Sequence, residues 1–150
     1  MKIVVMSDSH RNDAKVEQIL KLEPDADGYL HCGDLCSEKR KFPDIVFVLG
    51  NCDYDDDLPR FRTVTFGQIR ILMCHGDRIF DRDHALARMA KDKNCQIVVH
   101  GHTHIPSDIV VDGIRILNPG ALSYNRDFSD IGYIVINTDG TSYTVERKIL

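Results

Sequence analysis

At 150 residues, with 43% hydrophobic and 28% charged side chains, the chain suits one soluble domain, 1–150, that buries a core without disulfides or a structural zinc. A formal charge of −4 excludes non-specific tracking along nucleic acid, which needs a basic face, yet leaves an anionic substrate open because bound metals reverse the local sign. No stretch approaches the roughly 20 apolar residues of a membrane span, the N-terminal apolar run is too short for a signal peptide, and five cysteines without a paired framework (Cys32, Cys36, Cys52, Cys74, Cys95) suit a reducing cytoplasm.

The first predicted element is a buried strand over Lys2–Met6, a continuous apolar run stopped by Ser7-Asp8. Asn12 or Asp13 can cap a helix to about Leu22, with Val16, Ile19 and Leu20 at helical spacing and Pro24 ending it. A second strand, Gly28–Cys32, leads into Gly33-Asp34. After the polar stretch Ser37–Lys41 and Pro43, a third strand, Ile45–Leu49, runs into Gly50-Asn51. This alternation predicts a parallel α/β core. Phe61–Phe66, a Gly67-Gln68 turn and Ile69–Cys74 then read as a hairpin. Asp81 or Asp83 opens a helix to about Lys93, and Gln96–Val99 is a further buried strand. Ile109–Val111 with Ile114–Leu117, and Ile131–Asn137 with Ser142–Lys148, predict two more hairpins. The second half is therefore expected to be β-rich and antiparallel, with edge strands through which copies could pair into a homo-oligomer.

Five short segments carry the chemistry: Asp8-Ser9-His10, Gly33-Asp34, Gly50-Asn51-Cys52-Asp53, His75-Gly76-Asp77 and Gly101-His102-Thr103-His104. Four of them adjoin a run of apolar, β-branched residues, where a strand would stop. Singly, each has a bland reading: a turn or helix cap for Asp8 and His10, a surface turn for Asp34, an Asx-turn for Asn51. The strongest is the last, because two imidazoles two residues apart after a glycine bend are rare unless they bind something. Together the segments offer the carboxylates of Asp8 and Asp34, the amide of Asn51 and the imidazoles of His10, His75, His102 and His104. Oxygen and nitrogen donors without thiolate suit manganese, iron, zinc, nickel or cobalt better than calcium or magnesium. Seven ligands exceed one tetrahedral site, so two divalent ions sharing a bridging carboxylate are expected, with Mn2+ ahead of Ni2+, Zn2+, Fe2+ and Co2+. Two such ions bring +4, Asp8 and Asp34 return −2, and a bridging hydroxide leaves +1, which still attracts a phosphate ester. Metals about 3.5–4 Å apart can hold that hydroxide for an in-line displacement at phosphorus.

The same segments, in this order from the first strand to about Ser123, resemble the calcineurin-like metallophosphoesterase superfamily. The short length, Gly50-Asn51-Cys52-Asp53 and Asn118-Pro119-Gly120 are similar to its small YfcE-like phosphodiesterase branch. The resemblance implies a four-layer α/β/β/α sandwich, two packed mixed β-sheets flanked by helices. It implies Asp8, His10, Asp34 and His104 around the first metal, Asp34 as the bridge, and Asn51, His75 and His102 completing the second. Asn51 would also touch the substrate phosphate, and Asp34, Asn51 and His75 would form the catalytic set for hydrolysis of a small-molecule phosphodiester. Phosphomonoesterase or pyrophosphatase activity on the same site is the alternative within the chemistry. A non-catalytic scaffold of the Vps29 kind is the alternative outside it, disfavoured because every ligand position is filled. The chain departs from the family pattern in three places. Cys52 replaces the histidine that larger members use as general acid, and a thiol of pKa about 8.5 substitutes poorly unless His31, Asp53 or a metal-bound water supplies the proton. Asp77 stands where many small members carry a second histidine. Arg11 stands where glycine is common, and it either clamps a phosphate oxygen or starts the following helix. The loops between Asp53 and Arg60 and between Leu122 and Ser129 are expected to line the approach.

Overall fold

In the computed structural model, which describes residues 1–54 and 57–150, the apolar run Lys2–Met6 is strand β1. It is followed by α1 (Asp13–Leu22), β2 (Gly28–His31), β3 (Ile45–Phe47), β4 (Phe61–Phe66), β5 (Ile69–Cys74), α2 (Arg82–Asp92), β6 (Ile97–Val99), β7 (Ser107–Val111), β8 (Ile114–Asn118), β9 (Gly132–Thr138) and β10 (Tyr143–Ile149). The strands form two five-stranded sheets, ordered β10-β9-β1-β2-β3 and β4-β5-β6-β8-β7.

The uninterrupted hydrophobicity of β1 has a physical cause. Successive strand side chains face opposite ways, and both faces of this sheet are covered. Ile3 and Val5 pack with Ile71, Met73, Ile97 and Val99 of the other sheet, forming the layer between the two. Val4 and Met6 pack outward with Val16 and Ile19 of α1. On the far side, Leu72, Val98 and Ile116 alternate outward against Leu86, Ala87 and Ala90 of α2. The layers therefore run α/β/β/α, as the family resemblance implies.

Both sheets are mixed. β1 pairs in parallel with β2, and β2 with β3, whereas β9 joins β1 antiparallel and turns back into β10. The expected antiparallel second half is corrected in one respect: β6 is parallel to both neighbours, β5 and β8. Helix α2 carries the chain back across the sheet between β5 and β6, and such a crossover returns a strand in the same direction. The last predicted hairpin, β9–β10, does not extend this second sheet at all. It closes onto β1 at the start of the chain.

Element ends differ from expectation by a residue or two, with identifiable reasons. β2 stops at His31 because Gly33 turns the chain with φ +96°. Asn12 and Asp81 flank α1 and α2 without any side-chain capping bond. Asp13 is instead held by Ser37 Oγ at 2.6 Å and Lys41 Nζ at 3.0 Å. The polar stretch before Pro43 closes as one 3-10 turn, Lys39–Lys41. No helix among the described residues is long and apolar enough to cross a membrane.

Candidate metal centre

The parallel pairing of β1, β2 and β3 in one sheet, and of β5 and β6 in the other, points five C-terminal strand ends toward one rim. Crevices beyond the carboxyl ends of parallel strands are where α/β sheets place their sites. The segments that follow are stitched by backbone bonds. Asp8 N–H donates to Gly33 O at 3.1 Å, His10 N–H to Asp34 O at 3.0 Å, and Gly101 N–H to His75 O at 3.0 Å.

At this rim the backbone adopts conformations that L-residues avoid. Asp8, His10, Asp34, His102 and His104 all have φ between +45° and +68°. Each such position costs roughly 1–3 kcal/mol, and clusters of them mark functional sites where the surroundings impose the geometry. Two glycines make the crowding feasible. A Cβ on Gly50 would strike the backbone and carboxylate of Asp34, and one on Gly101 would strike Ser7 Oγ and Asp8 Oδ2. Gly101→Ala should therefore displace the Asp8 carboxylate and destabilise the protein by about 1–3 kcal/mol, seen as a lowered Tm together with weakened metal uptake. An unchanged Tm would contradict this packing.

All seven candidate ligands come together. His104 Nε2 lies 3.2 Å from Asp8 Oδ1, and His10 Nε2 lies 3.7 Å from the same oxygen and 3.2 Å from His104 Nε2. His75 Nε2 is 3.3 Å from Asp34 Oδ2 and 3.9 Å from Asp8 Oδ1, while Asp34 Oδ2 is also 3.6 Å from His10 Nε2. Asn51 Oδ1 sits 2.8 Å from His75 Nε2 and 3.1 Å from His102 Nδ1. Asp34 Oδ2 thus faces histidines of both groups. The proton positions follow from the outer partners. His75 Nδ1 faces Cys32 O at 2.8 Å and His104 Nδ1 faces Tyr124 O at 3.1 Å, and carbonyls only accept. Both Nδ1 atoms therefore carry the proton, which leaves Nε2 as the inward donor atom, the usual arrangement of metal-ligating histidines.

The electrostatics favour a cation. Among the described residues, Asp8 Oδ1 is buried without a hydrogen-bond donor. Burial works to raise the Asp8 pKa, but the imidazoles of His10 and His104 and the charge of His75 outweigh it, so the carboxyl lies well below the usual range. Asp34 is likewise pushed up by burial and pulled further down by His75. Burial opposes the charge on His75, yet Asp34 and Asp8 raise its pKa to about 9. Inward-facing nitrogens around two ionised carboxylates, one with an unmatched buried oxygen, form a donor set that fits divalent ions. Asp8, His10 and His104, and separately Asp8, Asp34 and His75, each present three ligand atoms within 4.8 Å of one another.

Three residues that the sequence named without a ligand role, Asp53, His31 and Asn118, brace the site. Asp53 bridges two loops, its Oδ2 accepting from Asp34 N–H and Gly50 N–H at 2.8 Å each and its Oδ1 from Cys36 N–H at 2.9 Å. His31 is fully buried, receives Gly33 N–H on Nδ1 at 3.2 Å and donates from Nε2 to Ser9 Oγ at 3.0 Å, and burial lowers its pKa to about 4. Neither residue is free to deliver a proton to a leaving group. Asn118 holds the histidine loop through Gly101 O and Thr103 Oγ1, at 3.0 and 2.9 Å. Only the position of Asn118 beside Pro119-Gly120 hinted at this; for Asp53 and His31 no local pattern separates a clamp from a turn.

A pocket of about 330 Å³ opens over the cluster, lined also by Ser123, Tyr124 and Arg126 from the loop expected there. In the other expected loop, positions 55 and 56 lie outside the described residues. Arg11 is exposed, and its Nε donates to Cys36 O at 3.2 Å. Asp77 is buried beside Arg60, whose Nη2 lies 3.6 Å from its Oδ1. His100 is buried, with Nδ1 on Gly101 O at 3.1 Å, and His84 stands at the surface beside Asp81.

Comparison with known proteins places this geometry. The description of the calcineurin-like phosphoesterase superfamily domain matches residues 1–141. The chain is 28% identical over 151 residues to the probable metallophosphoesterase YsnB of Bacillus subtilis, covering 97% of this chain and 89% of that protein. A crystal structure from Streptococcus pneumoniae, described as a predicted phosphoesterase, superposes with a TM-score of 0.88 at 28% identity, over 99% of this chain and 88% of the other. At lower identity the likeness shows the fold alone. A novel archaeal phosphodiesterase has a TM-score of 0.78 at 22% identity, over 99% and 100% of the chains. Vps29 from Entamoeba histolytica, complexed with Zn2+, has 0.76 at 20%, over 99% of each.

Proposed function

The chain belongs to the calcineurin-like phosphoesterase superfamily, and from that membership we propose that its pocket is a binuclear-metal phosphodiesterase centre. The observation that carries the reading is Asp8 Oδ1, a buried and undonated carboxylate oxygen with three imidazole nitrogens 3.2–3.9 Å away. Asp8, His10, Asp34 and His104 would hold one ion, and Asp34, Asn51, His75 and His102 the other. When bound, such ions supply Lewis acidity and a water-derived nucleophile at neutral pH. Mn2+ is the first choice for this oxygen and nitrogen donor set.

The chain's own groups set what can be cut. Asn51 turns Oδ1 to the histidines and one Nδ2 hydrogen to Cys52 Sγ at 3.6 Å, which leaves the second Nδ2 hydrogen to donate to a phosphate oxygen. Arg11 keeps its terminal nitrogens for an anion approaching from solvent, since among the described residues only its Nε is engaged. Burial and then the charge of Asp34 raise the Cys52 thiol above its ordinary pKa. It gives up a proton reluctantly, so esters with good leaving groups are the preferred substrates. We further propose a single domain, 1–150, working in the cytoplasm with its five thiols free, and pairing of copies through an edge such as β7, where Val110 is exposed.

Hydrolysis of bis-p-nitrophenyl phosphate across Mn2+, Ni2+, Co2+, Zn2+ and Mg2+ tests the assignment, with p-nitrophenyl phosphate and pyrophosphate as competing substrates. Diester hydrolysis should dominate, and Asn51→Ala should lower it by roughly 10²–10³-fold. Metal binding alone does not decide, because Vps29 of Entamoeba histolytica is itself found complexed with Zn2+. Metal-loaded protein that cleaves none of the three substrates would sink the enzyme and favour the scaffold.

A further inference from the structure

Two cysteines stand against the metal pocket without belonging to its ligand set. Cys36 and Cys52 lie on separate loops, and Asp53 draws these together by accepting the N–H groups of Asp34, Cys36 and Gly50. Cys52 N–H in turn donates to Asp34 Oδ1 at 2.8 Å. As a result one ligand atom each of Cys36, Cys52 and His10 all fall within 4.8 Å of one another. His10 is used from both sides of its ring. Its Nε2 faces Asp8 and Asp34, and its Nδ1 lies 3.6 Å from Cys36 Sγ.

That separation can be compared with coordination geometry. Zn–S bonds of about 2.3 Å and Zn–N bonds of about 2.0–2.1 Å at tetrahedral angles put sulfur and nitrogen about 3.5 Å apart and two sulfurs about 3.8 Å apart. The Cys36–His10 pair already stands at that spacing. Cys52 is exposed, so rotation of its side chain can bring the second sulfur in. We propose that Cys36 Sγ, Cys52 Sγ and His10 Nδ1 form a distinct site for a thiophilic ion, Zn2+ above all, at the rim of the pocket. Thiolates select zinc over manganese or magnesium, so the two neighbouring centres sort ions by ligand softness. On binding, the two S–H bonds and the Nδ1–H bond of His10 break, two S–Zn bonds and one N–Zn bond form, and the three protons pass to solvent with no change of oxidation state, leaving His10 an imidazolate between the two centres. Cys52 also lines the pocket, so an ion held there narrows the approach for a phosphoester and makes excess zinc an inhibitor.

The test uses the full chain saturated with Mn2+, kept reduced and titrated with Cd2+ as a spectroscopic probe for zinc. Thiolate-to-cadmium absorbance should rise to a plateau at one Cd2+ per chain. Alkylation mapped by mass spectrometry should show protection of Cys36 and Cys52 together; Cys32, Cys74 and Cys95 are buried and provide the baseline. Cys36→Ser and Cys52→Ser should each weaken Cd2+ binding at least about 100-fold, the upper end of what loss of a merely supporting contact produces. Absorbance that persists in the Cys36→Ser/Cys52→Ser protein, or thiols that stay fully reactive in cadmium-loaded wild type, would overturn the site and leave a thiol–imidazole hydrogen bond. The alkylation readout needs no variant, so misfolding of a serine substitution does not blunt the test. Neither readout involves hydrolysis, so this site and the phosphodiesterase assignment can fail separately.

Discussion

Replacing Asp34 with Asn is expected to lower kcat/KM for a phosphodiester by roughly three orders of magnitude, about 4 kcal/mol of transition-state stabilisation. The substitution is nearly isosteric, which is why it discriminates. Asn keeps an oxygen to accept Cys52 N–H, as Asp34 Oδ1 does at 2.8 Å, so the loop it anchors should hold. What changes is the other oxygen, which faces His75 Nε2 at 3.3 Å and His10 Nε2 at 3.6 Å. There Asn offers either a neutral oxygen or an NH2 group, and the negative charge between the two histidine groups is gone. If Asp34 only shapes a turn, activity and metal content should barely move. If it bridges two ions, metal stoichiometry should fall from two per chain together with kcat/KM, while circular dichroism stays that of the parent. Activity within tenfold of the parent, with two ions still bound, would remove the bridge.

The second large effect is on metal affinity as a function of pH. In the metal-free protein, burial disfavours the imidazolium of His75, but Asp34 and Asp8 hold its pKa at about 9, above its ordinary 6.5. His10 is raised as well, first by Asp8. A raised folded-state pKa means that the proton on His75 stabilises the empty fold fully below pH 6.5, and that this contribution fades as pH climbs through about 9. A divalent ion needs the neutral ring, so it must displace that proton. Apparent affinity should therefore rise with pH across this window, by up to about tenfold per unit from His75 alone and roughly two orders of magnitude overall. Calorimetry with Mn2+ at pH 6.5, 7.5 and 8.5, repeated in buffers of different ionisation enthalpy, reads both the trend and the released proton. A flat affinity profile with no proton release would show that His75 does not ligate.

Much of the architecture was legible because buried strands and amphipathic helices write their periods directly into the chain. Lys2–Met6, the α2 pattern around Leu86 and Ala90, and the Asp112-Gly113 and Asp139-Gly140 hairpins could all be read this way. Strand partners could not. Ile97–Val99 is apolar on both faces whether its neighbours run parallel or antiparallel, and only the α2 crossover settles the direction. The pairing of β9 with β1, such as Val4 against Val135, joins the two ends of the chain and leaves no local trace.

The candidate site divides along the same line. The chain itself determined which donor chemistries are present, that they follow buried strands, and which family carries them in that order, because side-chain type and strand termination are local properties. Tertiary structure decided which donors meet, how five of them are held at positive φ, and that Asp53 and His31 brace the loops between them. It also decided that Cys36 and Cys52, 16 positions apart, face one imidazole. Those are distances between loops, set by strand pairing and by the layer of Ile, Val and Met packed between the two sheets, and no local pattern encodes them.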